Sequence, residues 1–502
     1  MCGRDRDRGH APHPRRGRAR RPERARRADR LRGGRSVRAR QRALGRRRAG
    51  EGHRPPGGRP GRPPARAHHR GRQRAREGVH LPRAPERRAR DRGRPGPGAD
   101  PVAGGAPGGQ ALLDRARRAG GGAGDPVSAG AGHRPTGDGA GGGPLVLAVN
   151  PGAGSTKLGL FRGGLPVREE KVLHPEAMAR PAARIWDELP GRVAAAEDFL
   201  SRAGVRAGVL AAVAGRGGLL PPLAAGAYLV DDALVAELER AAHGEHASNL
   251  GAPMARALAA PHGCPALVVD PVSVDELAPV ARVTGLAGVE RTSFVHALNL
   301  RAVARRHAAA AGRPLEALRL VLAHLGTGIS LCALSGGRMV DVVNPRDEGP
   351  FSGDRAGGVP ANALVELCFA PGADARSVKR RLFGDGGLYA HLGTRDVREA
   401  LARAERGDAR AALLVDAMCY QAAKAVAAMA VALDGRVDAI VLTGGLAHLA
   451  PVVEGVRRRV AWIAPVEVHP GEDELRALAE GALRVLSGEE PARRYAPLDP
   501  AR

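Results

Sequence analysis

The sequence predicts an α/β fold of two related lobes that follow a long basic leader. An apolar segment, a glycine loop and a returning apolar segment occur in that order near residue 145 and again near residue 320. Helical periodicity fills the stretches between them, and the composition changes abruptly at Pro144. The chain has 502 residues, 43% of them hydrophobic. It can therefore bury the cores of two or three domains, which excludes disorder throughout.

The leader, residues 1–143, differs sharply from the rest of the chain. It has 38 Arg, no Lys and 12 acidic residues, so it carries +26 of the formal net charge of +27. It contains no Ile, Asn, Phe, Tyr or Trp. Because it has too few large apolar side chains to offset the entropy cost of ordering by burial, we expect it to be disordered. Three interpretations stand: GC-rich DNA translated upstream of the true start, a basic tail, or a nucleic-acid-binding arm. Composition favours the first, since no aromatic residues are interleaved for base stacking.

Cysteine usage and hydropathy indicate the compartment. The five cysteines are scattered without a CxxC pair, which is typical of a reducing compartment and gives no zinc or disulfide framework. The N-terminus has no apolar signal region, and no run reaches the about 18–20 uncharged apolar residues of a membrane span. We expect a cytoplasmic protein without a membrane partner.

The first element of the folded part is a β-hairpin with a glycine loop. Residues 145–150 form a short apolar run, residues 151–157 a glycine-rich loop, and residues 158–161 a second apolar run. The loop is similar to the P-loop of nucleotide-binding proteins, but Lys157 follows Thr156 where a P-loop has Gly. We predict that the chain returns as a strand, whereas a P-loop runs into a helix.

The second element repeats the first about 175 residues later. Residues 320–324 form the apolar strand, residues 325–328 the glycine loop and residues 329–334 the returning strand, and each copy ends in a Gly-Gly turn. Two phosphate-binding hairpins on related lobes would face each other across a nucleotide cleft.

The remaining elements alternate between helix and strand. Helical periodicity predicts helices at 193–202, 231–242, 249–260, 294–311, 361–368, 396–405, 409–433 and 474–486. Apolar runs predict strands at 207–214, 266–269, 439–442 and 466–468. A third glycine loop, Gly444-Gly445, follows the strand at 439–442, where the missing Cβ atoms would let a base or ribose approach the backbone.

The order of these loops resembles the actin, hexokinase and Hsp70 superfamily of duplicated, ribonuclease H-like nucleotide-binding domains. Within it, seven runs resemble those of the butyrate kinases of the acetate kinase family; they are residues 150–157, 215–220, 270–277, 324–330, 348–355, 442–448 and 470–475. The resemblance implies an actin-like ATPase kinase fold with lobes at 144–300 and 301–495, the final helix packing back on the first lobe. It also implies a homodimer that uses ATP and Mg²⁺ to phosphorylate a short-chain fatty acid.

Transfer of a phosphoryl group to a carboxylate brings two anions together, so catalysis requires cations and positioning. By resemblance, Arg216 and Arg355 are the active-site arginines, and the glycines around them would let each guanidinium reach an anion. The resemblance places His324 and His296 as donors to the transferring phosphoryl group, although a histidine in a helix is commonly a core residue. Asp270 would orient the acceptor or hold a metal-bound water; its alternative is to cap the turn before Pro271.

The remaining site residues would hold the nucleotide and the metal. The predicted nucleotide-binding residues are Asn150, Gly152, Ser155, Thr156, Lys157, Gly326, Thr327, Gly328, Gly444 and Gly445. Hard oxygen ligands suit Mg²⁺, which indicates Asn150 with either Glu472 or Glu474; the sequence leaves the choice between the two open. His448 is a structural or ribose-side candidate. Two departures from the family pattern are Ala153 in place of a hydroxyl residue and Thr327 in place of Gly.

The sequence does not determine which acid the protein would prefer. One methylene in an apolar pocket discriminates by only about 1–3 kcal/mol, so acetate, propionate or a branched acid are alternatives to butyrate. A nucleotide sensor without catalysis and a nucleic-acid-binding protein acting through the leader are the alternatives from other functional classes.

Overall fold

The computed structural model describes residues 142–175 and 184–496. Residues 1–141 of the leader lie outside the described part of the chain, so what the sequence predicts for them stays a prediction. The described strands are β1 Leu145–Pro151, β2 Ser155–Arg162, β3 Leu165–Leu173, β4 Ala212–Arg216, β5 Ala227–Leu229, β6 Ala266–Val269, β7 Arg319–Leu325, β8 Ile329–Ser335, β9 Arg338–Val343, β10 Ala439–Gly444 and β11 Val466–Pro470.

The helices lie between and after these strands. They are α1 Leu189–Arg202, α2 Asp232–Arg240, α3 Gly251–Ala259, α4 Pro279–Arg282, α5 Ala297–Ala310, α6 Ala361–Cys368, α7 Ala375–Leu382, α8 Gly387–Leu392, α9 Val397–Glu405, α10 Ala409–Val431, α11 Ala450–Val460 and α12 Glu474–Ser487. The predicted α/β class is confirmed.

The first sheet has the order β3-β2-β1-β4-β6-β5. β1 pairs with β2 in antiparallel register, from Leu145 opposite Arg162 to Pro151 opposite Thr156, so the glycine loop does open a hairpin. β4 is parallel to β1, and β6 is parallel to β4. Every residue of β1 is buried, which is typical of a strand covered on both faces.

The second sheet repeats this connectivity in the order β9-β8-β7-β10-β11. β7, β8 and β9 form the antiparallel meander, β10 runs parallel to β7, and β11 runs parallel to β10. Five strands of each sheet therefore correspond one to one, and the repeated hairpin inferred from the sequence belongs to a repeated sheet.

Several element boundaries differ from the sequence prediction. The strand predicted at 207–214 begins only at Ala212, because residues 207–208 form a turn in which Gly208 has φ of +79°. The helix predicted from residue 294 begins at Ala297, with His296 as the residue before its first turn. The residues after Gly444 form one 3₁₀ turn, Gly445–His448, before α11 begins.

Two helices position the site between the sheets. α12, the last described helix, packs on β1, β2, β4 and β6 of the first sheet, and its first residue lies near the end of β1. α5 contacts α12 on one side and β7 and β10 of the second sheet on the other. The ends of β1, β4 and β7 are thereby joined by two packed helices.

One described helix, α10, is long and apolar enough to cross a membrane by length and composition alone. It packs against α9, α11 and the second sheet, and its core-facing side chains include Leu414, Met418 and Val426. These contacts are those of the central helix of a domain core.

Candidate active site

Three side chains meet where β1 and β4 end. Asn150 lies near the end of β1, Arg216 is the last residue of β4 and Glu474 is the first residue of α12. A guanidinium nitrogen of Arg216 lies 2.6 Å from Glu474 Oε1, and Asn150 Nδ2 donates to Glu474 Oε2 at 2.5 Å. Parallel neighbouring strands end at the same sheet edge, which explains why residues 66 positions apart meet. The arginine of this cluster already holds a carboxylate.

Two stacked histidines, one from β7 of the second sheet and one just before α5, lie beside this cluster. The rings of His296 and His324 are 3.9 Å apart and inclined by 12°, and His296 Nδ1 lies 2.8 Å from Ser330 Oγ. Burial, followed by the charges of Arg216 and Arg355, lowers the pKa of His324 to about 3. Burial, the His324 ring and the same two arginines hold the pKa of His296 well below its usual value. Both rings are therefore neutral near pH 7.

Asn299 is a site residue that the sequence reasoning missed. Its Nδ2 donates to the carbonyl of Glu472 at 2.8 Å, so its Oδ1 is free to accept a hydrogen bond from His324 Nδ1, 2.8 Å away. His324 Nε2 is buried without a hydrogen-bond partner, 3.6 Å from Glu472 Oε1. A neutral His324 thus carries its proton on Nδ1, so donation from Nε2 requires a second proton. The only sequence signal was an Asn one helical turn after His296.

The second glycine loop makes room for charged side chains of the site. A Cβ atom on Gly328 would lie 2.8 Å from Arg355 Nη1, and one on Gly326 would lie 2.8 Å from His324 Nε2. Thr327 is exposed between them, and its carbonyl accepts a hydrogen bond from Ser352 Oγ. Burial lowers the pKa of Arg355, partly opposed by the neighbouring Asp354. The structure thus brings Arg355 and His324 together against this loop.

Asp270, for which the resemblance implies an acceptor-orienting role, has hydrogen-bond or ion-pair partners within the protein on both carboxylate oxygens. Its Oδ1 accepts from the Gly226 amide at 2.8 Å and lies 3.1 Å from Arg301 Nε, and its Oδ2 accepts from Arg305 at 3.1 Å. Burial would raise the pKa of this carboxyl, but the two arginines outweigh burial and hold it below the usual value. The backbone at Asp270 has φ of +37° and adjoins the site, while its carboxylate anchors α5 to the first sheet.

Thr156 and Lys157, both predicted from the sequence to bind the nucleotide, lie on opposite faces of β2. Lys157 lies opposite Asn150 in the antiparallel pair and shares its face of the sheet. Thr156 is on the other face, because successive side chains of a strand alternate. Its hydroxyl accepts from Arg192 at 3.1 Å and lies 2.8 Å from His174 Nε2. Gly152 and Ser155 lie at the turn between β1 and β2, where the Gly152 amide donates to the Ser155 carbonyl.

The third glycine loop joins the acidic segment that follows β11. Gly444 has φ of +88°, and a Cβ atom there would lie 2.4 Å from the Leu325 carbonyl oxygen. The backbones of Gly444 and Gly471 exchange two hydrogen bonds of 3.0 Å. Gly445 has open space where a Cβ atom would lie, as an approaching base or ribose requires, and His448 is exposed beside Gly471.

The residues predicted for a metal fit Mg²⁺ by their chemistry. Burial and the neighbouring Glu474 raise the pKa of Glu472, opposed by Lys157 and Arg216, so the two carboxylates gain from a cation between them. In residues 142–175 and 184–496, no three His, Cys, Asp or Glu side chains form a complete metal-binding group. Mg²⁺ commonly takes one or two carboxylates and completes its shell with water and phosphate oxygens. Glu472, Glu474 and Asn150 are sufficient for that pattern.

The fold and the site define a class: proteins built on two related α/β sheets with an arginine–carboxylate cluster and a histidine pair between them. The Acetokinase family model matches residues 282–468 of the chain. The solved acetate kinase of Porphyromonas gingivalis is similar at 21% identity with a TM-score of 0.57, over 68% of this chain and 100% of that one. A propionate kinase from Francisella tularensis subsp. tularensis is similar at 16% identity with a TM-score of 0.55, over 67% and 98% of the two chains. These likenesses establish the fold.

Proposed function

We propose that the protein is an ATP-dependent carboxylate kinase that converts a short-chain fatty acid, with butyrate preferred, and ATP to the acyl phosphate and ADP, reversibly. One observation carries the proposal: the guanidinium of Arg216 holds a carboxylate, that of Glu474, at 2.6 Å beside the stacked histidine pair. A substrate acid offers the same group to the same fork. The family match over residues 282–468 supports the reaction class.

In the proposed reaction, the substrate carboxylate replaces Glu474 on Arg216, and one of its oxygens attacks the terminal phosphorus of ATP. The P–O bond to ADP breaks as the bond to the carboxylate forms, so no net proton is consumed. Arg355, which lies against the second glycine loop, would offset charge on the transferring group. Lys157 and the loop amides hold the phosphates from the first sheet.

Glu474, once displaced, and Glu472 are the carboxylates that would hold Mg²⁺, with Asn150 beside them. When bound, the ion supplies positive charge to the phosphate oxygens of the nucleotide. The protein's own contribution is to keep these oxygens at the edge of the first sheet, within reach of Arg216.

The space beside Arg216 indicates how the acid enters. A cavity of about 10 Å³ is lined by Arg216 and His296 and by the apolar Pro271, Val272 and Leu298. Such a volume holds roughly one water molecule, so no fatty acid fits until Glu474 leaves Arg216 and the lobes separate. The apolar lining is suited to the hydrocarbon chain, and closure over it would protect the acyl phosphate from water.

A hydroxamate assay with ATP and straight and branched acids of two to five carbons tests the proposal. We expect acyl phosphate with several acids and the highest kcat/KM with butyrate, the others lying within about 100-fold because each methylene contributes only about 1–3 kcal/mol. If acetate or isobutyrate ranks first, the substrate within the class is wrong. No acyl phosphate with any acid contradicts the kinase and favours a nucleotide sensor.

We further propose that the enzyme is a cytoplasmic homodimer. The described surface carries exposed apolar side chains on and beside α6, including Val365 and Phe369, the latter 84% exposed. A second copy of the chain would bury this surface.

A further inference from the structure

The first glycine loop is held from behind by an arginine that sequence reasoning did not single out. Arg192, on α1, is only 1% exposed. Its Nη1 donates to the Ser155 carbonyl at 3.2 Å and to Thr156 Oγ1 at 3.1 Å, and its Nη2 donates to the Ala153 carbonyl at 3.1 Å. The remaining N–H groups go to Glu188 Oε2 at 2.7 and 2.9 Å. Every N–H of the guanidinium therefore has an acceptor.

These bonds fix the direction of the loop carbonyls. Arg192 holds the oxygens of Ala153 and Ser155, and the His174 amide donates to the Gly154 oxygen at 2.9 Å. Because a peptide group is planar and trans, each tied oxygen turns the following N–H to the opposite side. Within the described part of the chain, the amides of Ala153, Gly154 and Ser155 have no hydrogen-bond acceptor. The loop therefore has three amides without an acceptor among the described residues, while its own carbonyl oxygens are hydrogen-bonded to Arg192 and His174.

Such a row of amides binds anions. Ala153 occupies the place where a hydroxyl residue would add a side-chain donor, so the binding capacity of this loop rests on its backbone. Asn150 and Lys157 form a pair of the hairpin that this loop closes. Its anion is therefore the terminal phosphate of the nucleotide, and this inference rests on the proposed function.

We propose that Arg192 is a positioning residue for the phosphate site: it holds the Ala153 carbonyl away from the ligand, which presents the Gly154 amide to the terminal phosphate, and through the Ser155 carbonyl it fixes the end of the loop. Glu188 neutralises the buried guanidinium, with its side chain 12% exposed, so Arg192 adds order to the loop without adding free charge. It does not touch the substrate.

The test replaces the pair without leaving a buried charge. Arg192→Met combined with Glu188→Gln removes the guanidinium and its counter-ion, and Arg192→Lys keeps the charge but cannot reproduce the fork. Arg202→Met is the matched control, since Arg202 lies on the same helix, is exposed, and pairs with the side chains of Glu170 and Asp198. Hydrogen exchange of the Gly152 and His174 amides, which donate to the Ser155 and Gly154 carbonyls of the loop, and the affinities for ATP and AMP are measured for each full-length variant.

We expect the double variant to exchange these amides about 10-fold faster and to bind ATP about 10-fold more weakly, with AMP affinity within about twofold of wild type. Arg192→Lys should fall between, and Arg202→Met should match wild type. A folded double variant with wild-type exchange and ATP affinity overturns the proposal; if that variant does not fold, the same result for Arg192→Lys overturns it. A wild-type protein that binds no ATP contradicts the proposed function, while loop exchange still decides the role of Arg192.

Discussion

The two equivalent glycine loops have the same place in their sheets but different constructions. In the first, between β1 and β2, the backbone carbonyls are tied to Arg192 and His174 and the amides are left open. In the second, between β7 and β8, the glycines make space for His324 and Arg355, which pack where Cβ atoms would lie. Repetition of a hairpin therefore does not imply repetition of its chemistry: one loop offers backbone donors and the other offers room for charged side chains.

The largest effect should come from the arginine that holds the carboxylate. Arg216→Ala is expected to lower kcat/KM for butyrate by about 1,000-fold, because a buried acid loses a bidentate partner in the transition state. Arg216→Lys should recover only part of this loss. Steady-state kinetics measure both, with Arg202→Ala on the surface of α1 as control. An Arg216→Ala enzyme within tenfold of wild type would remove this residue from the acceptor site.

The second-largest effect should come from glycine substitutions that distinguish the two glycine loops. Gly328→Ala should lower kcat by about 100-fold, since its Cβ atom would lie 2.8 Å from Arg355 Nη1 and displace the guanidinium. The matched change in the first loop is Gly152→Ala, where the nearest atom to a new Cβ is 3.5 Å away. We expect Gly152→Ala to retain most of its kcat. Equal losses in the two variants would show that the loops work alike.

A third prediction concerns stability and the position of Asp270. Asp270→Asn should lower the free energy of unfolding by about 3 kcal/mol, because Arg301 and Arg305 lose a buried counter-ion. The folded-state pKa of Asp270 lies below the ordinary value of 3.8, so its contribution is present above that value and is lost as the pH falls through the folded-state pKa. Urea unfolding should show a constant gap between variant and wild type from about pH 7 to 5, which narrows below pH 3.8. A gap that widens on acidification would contradict this assignment.

The smallest effect should be at Ala153. Ala153→Ser restores the hydroxyl of the family pattern, but the open amides of the loop already supply donors, so we expect ATP affinity within about twofold of wild type. Equilibrium binding of ATP measures the change. A gain in ATP affinity of tenfold or more would mean that the loop amides alone do not form a complete phosphate site.

Local patterns predicted most of the fold. The apolar runs at 145–150 and 320–324 and their glycine turns are short-range signals, and both hairpins are present with the expected returning strands. The strand predicted from residue 207 begins only at Ala212, because a turn precedes it, and the helix predicted from residue 294 begins only after His296. Whether the lobes divide near residue 300 stays a prediction.

The site was harder to predict, because its contacts join distant parts of the chain. Motif resemblance selected Arg216 and His324, and the sequence left the choice between Glu472 and Glu474 open. The structure pairs Glu474 with Arg216 near His324, but the catalytic roles of these residues stay predictions. No pattern marks Asn299 or Arg192, since a polar residue in a helix is ordinarily solvent-exposed; only tertiary packing makes them buried donors. Asp270 was singled out from the sequence, but its arginine and amide partners were not, because they lie more than 30 positions away.

The central claim is that Arg216 exchanges its own carboxylate partner for that of the substrate. A crystal structure of the protein with butyrate and a non-transferable ATP analogue tests it most directly. We predict the butyrate carboxylate on the Arg216 guanidinium, Glu474 withdrawn from it, and the terminal phosphate in line between the two glycine loops. Butyrate bound elsewhere, with Glu474 still paired to Arg216 beside the bound nucleotide, would contradict the account.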